Sequence, residues 1–390
     1  MRYPHALFTA ALSIFFSVSL PAAAQERARV ETMFAAEIQA AIDRLSALDY
    51  QVRMNAARRL RRAPAAQVVP ALLAAADTHK DGYVRYRALI LMTGFDDPRT
   101  GKRMAAAISD PNDRLRALAF EYFEHNPSPA VTAQLLAALD KESAEFVRPA
   151  LLRALAANAR DQRVADALLH EVPRGDTMFR SAVIEALGDY RADYAVDALT
   201  DTVRFEGPLQ VDAAIALGKI GDKRAVNAVI AAQRAAAADV QPQIAAAICL
   251  LGVNCASHVA YIDKTLRFAA QNAGYQPLLR SAASAARALA TSGNGDAAML
   301  IFDAGDRSDD PARAPLALAA GALALRSPSL LVATIEKRND REQAMSLLRD
   351  AFDMLEEPYA KEQFFVAVRR AYWQSPEASD ARAVAKALID

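Results

Sequence analysis

The chain has 390 residues, 53% of them hydrophobic and only 7% aromatic, with 46 basic against 46 acidic side chains. A zero net charge excludes the strong basic excess of a nucleic-acid binder. The apolar fraction is carried largely by alanine, the best helix former, which fits close-packed helices and not a β-sandwich. The length exceeds one compact core of about 150 residues, a limit that a repeat array escapes because each unit packs only on its neighbours.

In chain order, the first element is a targeting segment. Arg2 precedes an apolar run from Ala6 to Leu20, Pro21 breaks it, and Ala22-Ala23-Ala24 stands as a small-residue cleavage site before Gln25. Residues 1–24 are therefore expected to be a signal peptide. The run is short for a membrane span, and no later stretch is apolar enough to cross a bilayer. The mature chain, with 45 basic and 46 acidic residues after Arg2 is removed, is expected to be periplasmic or secreted, without stable membrane insertion. Residues 25–45 carry Val30, Met33, Phe34, Ile38, Ala41, Ile42 and Leu45, the apolar spacing of an N-terminal capping helix.

A column then recurs: Val52, Val84, Leu115, Val147, Phe179, Leu209 and Val240, at steps of 30 to 32 residues. Four residues on stand Ala56, Ala88, Ala119, Leu151, Val183, Ala213 and Ile244. Eight residues on stand Leu60, Met92, Phe123, Leu155, Leu187, Leu217 and Ile248. Apolar positions at i, i+4 and i+8 define one helix face. Asp49, Asp81, Asn112 and Asp176 sit three residues before the column, where a short side chain accepts from the first-turn N–H groups. Gly94, Gly188, Gly218 and Gly252 follow the stripe and are expected to end the helix in a left-handed turn. A second stripe, as in Val131, Leu135 and Leu139, or Val164 and Leu168, or Val226 and Val229, begins half a repeat later. Each unit is thus two antiparallel helices. The spacing predicts an all-α, right-handed superhelix of about nine hairpins, with the array over 46–340.

The segment Ala213-Ile215-Ala216-Leu217-Gly218-Lys219-Ile220-Gly221-Asp222 with Ala225-Val226 resembles the HEAT repeat of the bacterial phycobilisome-lyase-like type. So do the pairs Val52-Arg53, Val84-Arg85, Leu115-Arg116, Val147-Arg148 and Phe179-Arg180, which match the pair opening that family's first helix. The resemblance implies an α-solenoid and assigns the arginines to contacts between adjacent units. The match weakens after Val240. Gln210 and Gln241 stand for arginine, and Arg280 lies 39 residues past Gln241, so an insertion is expected near Gly274 or Ser257–His258, with a later unit around Arg313. Residues 341–390 lose the period and read as a C-terminal helical cap, with helices opening at Pro358 and Pro376.

The recurring ladder Arg53, Arg85, Arg116, Arg148 and Arg180 has two readings, an anion-binding track or an inter-repeat brace. Its regular place at each helix start favours the brace. Cys249 and Cys255, six residues apart, are either a disulfide or two small buried side chains. The cluster Arg58, Arg59, Arg61 and Arg62 reads as a solvated helix face rather than an acidic-partner site. Phe364, Phe365, Tyr372 and Trp373 read as core rather than docking surface. The resemblance also touches pigment lyases and a di-iron hydroxylase that uses several His-Glu pairs. Only His170-Glu171 forms such a pair here, short of the several ligands an iron pair needs. No catalytic, cofactor-binding or metal residue is therefore expected, and no cofactor. The function expected is an extracytoplasmic adaptor that binds a protein or peptide on its concave face, with a HEAT-like lyase or hydroxylase as the alternative.

Overall fold

The computed structural model describes residues 34–389, so the signal segment and residues Val30 and Met33 lie outside the described residues. Among the described residues there are 22 α-helices and no strand, as the periodicity predicts. The chain divides into two compact units, one ending at Ala88 and one from Leu89 onward.

The first unit holds a helix over 34–43 (α1), then α2 (Tyr50–Arg62), α3 (Ala65–Thr78) and the opening turns of α4 (Gly82–Met92), whose remainder belongs to the second unit. Ile38, Ala41, Ile42 and Leu45 are buried, so the apolar face of residues 25–45 packs as a core where it is described. Asp49 caps α2 by accepting from the Val52 N–H at 3.0 Å. Within the basic cluster, Arg58, Arg59 and Arg62 are exposed, and Arg59 pairs with Glu37 at 3.1 Å.

The second unit continues with α5 (Pro98–Ala107), α6 (Asp113–His125), α7 (Thr132–Leu139), α8 (Arg148–Ala157), α9 (Gln162–Glu171), α10 (Thr177–Asp189), α11 (Val196–Val203), α12 (Pro208–Ile220) and α13 (Val226–Ala235). It goes on with α14 (Gln241–Leu250), α15 (Cys255–Gln271), α16 (Gln276–Thr291), α17 (Gly295–Gly305), α18 (Arg313–Arg326) and α19 (Pro328–Glu336), and ends with α20 (Arg341–Met354), α21 (Pro358–Gln374) and α22 (Asp380–Ile389). The pairs from α2/α3 to α18/α19 are the nine hairpins of the periodic pattern. The even-numbered helices from α6 to α20 stack one on the next, and the odd-numbered helices lie along the other side. Positions four and eight residues beyond the column are all buried, from Ala56 and Leu60 to Ile244 and Ile248. The column itself is less regular: Val52 is 39% exposed, and Leu209 and Val240 are half-buried.

Three expectations are corrected. Of the four stop glycines, only Gly252 has a left-handed backbone, with φ 76°. Gly188 and Gly218 lie inside α10 and α12. A Cβ on Gly188 would stand 2.6 Å from the Ala216 Cα, so this glycine lets α10 and α12 touch backbone to backbone. The turn after α12 is made by Gly221, φ 82°. Second, the extra length expected near Gly274 or Ser257–His258 is taken up within α15, which contains residues 257–258 and runs 17 residues against 10 in α13. Arg280 is exposed on α16, off the ladder. Third, Pro358 opens α21, but Pro376 lies in the turn ahead of α22.

The aromatic group of the C-terminal segment splits. Phe364 is 1% exposed and packs in the core against Phe352. Trp373 is 74% exposed, edge-on to Tyr372, with the Arg382 guanidinium 4.5 Å from the Tyr372 ring.

Candidate functional site

The arginine ladder has a common geometry. Arg53 donates to the Ala47 carbonyl at 2.7 Å, Arg85 to His79 at 2.7 Å, and Arg116 to Asp110 at 2.9 Å, each six residues back. Arg180 donates to the Val172 carbonyl at 3.0 Å. All four carbonyls lie at or just beyond the end of the preceding helix, where helix geometry leaves acceptors without partners. The glutamines that break the pattern do the same work. Gln210 donates to Val203 at 3.1 Å, and Gln241 to Gln233 and Ala236 at 2.6 and 2.8 Å. Arg313 resumes the series with the Gly305 carbonyl at 3.4 Å.

Arg116 adds a forked pair to the neighbouring repeat, donating to both carboxylate oxygens of Glu142 at 2.7 and 2.9 Å. Its hydrogen bonds hold the Glu142 carboxyl below the usual range against the opposing effect of burial. Arg148 differs: its guanidinium sits 3.9 Å above the Phe179 ring, and its buried Nε has no hydrogen-bond partner.

A second signal stands in the sequence. Asp97-Pro98-Arg99, Asp161-Gln162-Arg163 and Asp222-Lys223-Arg224 each begin a second helix. In each, the aspartate accepts from the arginine backbone N–H and grips the guanidinium. Hydrogen bonds from Arg99 bring the Asp97 carboxyl down to about 2. The sulfurs of Cys249 and Cys255 are joined as a disulfide across the turn from α14 to α15.

The second unit has an open-sided cavity of about 690 Å³. Its wall is built from the C-terminal ends of α6, α10, α12, α14, α16 and α18, with Arg153 of α8 and one face of α21. The stack curves far enough that Asp189 of α10 meets Arg326 of α18, 137 residues on, at 2.7 Å. Lys219 of α12 takes the other Asp189 oxygen at 2.5 Å. Burial favours the neutral Asp189, but the two cations beside it hold its carboxyl below the usual range. This trio also lines a smaller cavity with Glu185, Asp212, Gln243, Ser284 and Arg287. There Ser181 donates to Asp212 at 2.6 Å, and Ser281 to Gln243 at 3.1 Å. Helix α21 crosses the concave side: its Gln363 donates to Thr93 at 2.9 Å, and Tyr359 packs on His125 with ring centres 5.5 Å apart.

At the α6 wall, Arg153 donates to Glu124 at 3.1 Å. Burial, opposed by Arg153 and reinforced by Glu124 and Glu357, lifts the Glu121 carboxyl to about 7. His170-Glu171 is a surface contact at 3.4 Å on a side chain that is largely solvated. Among the described residues, no group of three or more His, Cys, Asp or Glu is placed to share a metal ion.

Residues 38–123 and 69–156 each match the HEAT repeats family. Residues 38–156 are therefore HEAT repeats. The matches cover the first four registers, and helical hairpins of similar period continue to α18. No curated protein matches the chain. Among the described residues, no single helix is long and apolar enough to cross a membrane.

The sequence reading located the ladder but not the cavity. Glu121, Asp189, Lys219 and Arg326 come from α6, α10, α12 and α18 and share no motif. What the sequence offered was a run of polar residues at the repeat spacing, Ser181, Asp212 and Gln243, on otherwise apolar helices.

Proposed function

We propose that the chain is an extracytoplasmic interaction scaffold, and that the concave surface of residues 89–390 receives a protein or peptide. The observation that carries this reading is the concave cavity lined by charged side chains in a unit otherwise close-packed with alanine and leucine. Desolvated charges are costly to hold. Stacked helical repeats commonly present concave surfaces to partner chains. Export rests on the segment 1–24, with its apolar run and Ala22-Ala23-Ala24.

Photo-crosslinking in the native envelope tests the binding. A photoreactive residue replacing exposed Arg287 on the concave side should give a protein adduct, whereas one replacing exposed Arg267 on α15 should not. Adducts from position 267 alone would overturn the concave-face reading. N-terminal sequencing tests export, with Gln25 expected as the first residue and a retained Met1 contradicting it.

A further inference from the structure

Charge is divided unevenly between the two units. Residues 34–88 of the first unit carry nine basic and five acidic side chains, whereas the second unit, from Leu89 onward, carries 34 basic and 39 acidic. The excess is concentrated further. No acidic residue stands between Asp49 and Asp77, and this stretch holds α2, whose last five residues include Arg58, Arg59, Arg61 and Arg62.

A helix that merely faces solvent gains from opposite charges three or four residues apart and loses from like charges at that spacing. The second unit supplies such partners: Arg174 pairs with Glu171, Arg204 with Asp201 and Arg267 with Asp263. The end of α2 does the reverse, with Arg58 three residues from Arg61 and four from Arg62. Arg58 and Arg62 are exposed and make no ion pair among the described residues. Arg59 pairs with Glu37, but both side chains are 57% exposed, where water weakens the attraction. The negative end of the α2 dipole accounts for only about half an elementary charge.

The place where the chain enters the fold shows what faces these arginines. The Arg59–Glu37 contact sets the start of α1 beside the end of α2. Only nine residues, 25–33, separate the apolar run and its Ala22-Ala23-Ala24 site from Phe34. Fully extended, they reach about 30 Å. With the apolar run in a bilayer during export, the end of α2 is one short tether from the lipid surface. The surface is also flat and polar. The exposed large apolar side chains described in this unit, Leu48, Tyr50, Val52 and Tyr83, belong to the other end of α2 and to the start of α4. Protein interfaces are centred on buried apolar or aromatic anchors, and this end of α2 presents arginines with Pro64, Ala65 and Ala66 beyond them.

We propose that the arginine-rich end of α2 binds the anionic lipid headgroups of a membrane surface and docks the first unit peripherally on the bilayer. Each guanidinium offers paired N–H donors that match phosphate oxygens, and the attractions of several basic side chains to an anionic leaflet add up. The choice of a membrane as the anionic surface rests on the export reading; the charge pattern does not.

The test is co-sedimentation of the full mature chain with vesicles of phosphatidylcholine alone, and of phosphatidylcholine mixed with phosphatidylglycerol. At low salt the anionic vesicles should bind about tenfold more tightly than the neutral ones or better, and the difference should shrink as salt is raised. Arg58→Glu combined with Arg62→Glu should weaken this binding by about tenfold or more, with no fall in melting temperature, because both side chains are exposed and unpaired. Arg234→Glu combined with Arg280→Glu changes the net charge equally, at exposed positions on α13 and α16, and should leave vesicle binding as it is. Equal binding to both vesicle types, no binding to either, no loss in the Arg58/Arg62 variant, or an equal loss in the Arg234/Arg280 variant would each overturn the proposal. Export is scored separately by the N-terminal sequence: a retained Met1 with arginine-dependent vesicle binding removes the export reading and upholds the lipid site.

Discussion

At the scale of single residues, charge is used in two opposite ways. Glu142 is held ionised by Arg116, so that pair supports the fold above the ordinary carboxylate range, and its contribution is lost as pH falls through the lowered value. Glu121 is pushed up to about 7, and Asp306, buried beside Arg338, to about 6. Both groups bind a proton more readily in the folded chain than in the unfolded one, so their effect on stability declines as pH rises from about 4.5 to 7. Glu121→Gln should therefore raise stability at pH 8 by about 1–2 kcal/mol, after discounting for its partial exposure, and change little at pH 5. Melting curves at the two pH values check this, and equal shifts at both would contradict it. Arg116→Ala should cost about 2–4 kcal/mol, because it strands the buried Glu142 carboxylate as well as the Asp110 carbonyl. The ladder's positions were legible in the sequence, because they follow the helix period. Its partners were not, because a backbone carbonyl six or eight residues back has no sequence identity.

The same division holds among elements. Helix faces and starts were legible, since apolar spacing and short polar caps act within one turn. Asp49, Asn112 and Asp176 each cap the helix that the spacing places after them. The glycines were misread because a stop and a close contact use the same residue. Gly188→Ala puts a methyl group into the Ala216 backbone and should destabilise by about 1–3 kcal/mol. Gly274→Ala, where a Cβ meets nothing within 4 Å, should be near neutral. Chemical denaturation of the two variants tests this contrast, and equal losses would contradict it. The α14–α15 disulfide closes a short loop, so Cys255→Ser should cost no more than about 2 kcal/mol. Thiol labelling of the unfolded, unreduced chain should find no free cysteine in material taken from an oxidising compartment.

For the molecule as a whole, period and composition were enough to predict an α-helical repeat array. They could not foresee the cavity of residues 89–390, since curvature accumulates by small rotations over many repeats. Only that sum brings Asp189 to Arg326 and sets Tyr359 of the terminal segment beside His125. The expected open concave face is thus partly occupied by the chain's own α21, which leaves a bounded, charged space in place of a long free groove. The account assigns the ladder to holding the repeats together and the concave charges to binding. One paired measurement separates these assignments most directly: thermal melting beside affinity for the crosslinked partner, for Arg116→Ala and Arg287→Glu. The account predicts that Arg116→Ala melts earlier and still binds, and that Arg287→Glu melts like the wild type and binds at least tenfold more weakly. If Arg116→Ala lost binding at an unchanged melting temperature while Arg287→Glu bound normally, the ladder would be the functional surface and the account would be wrong.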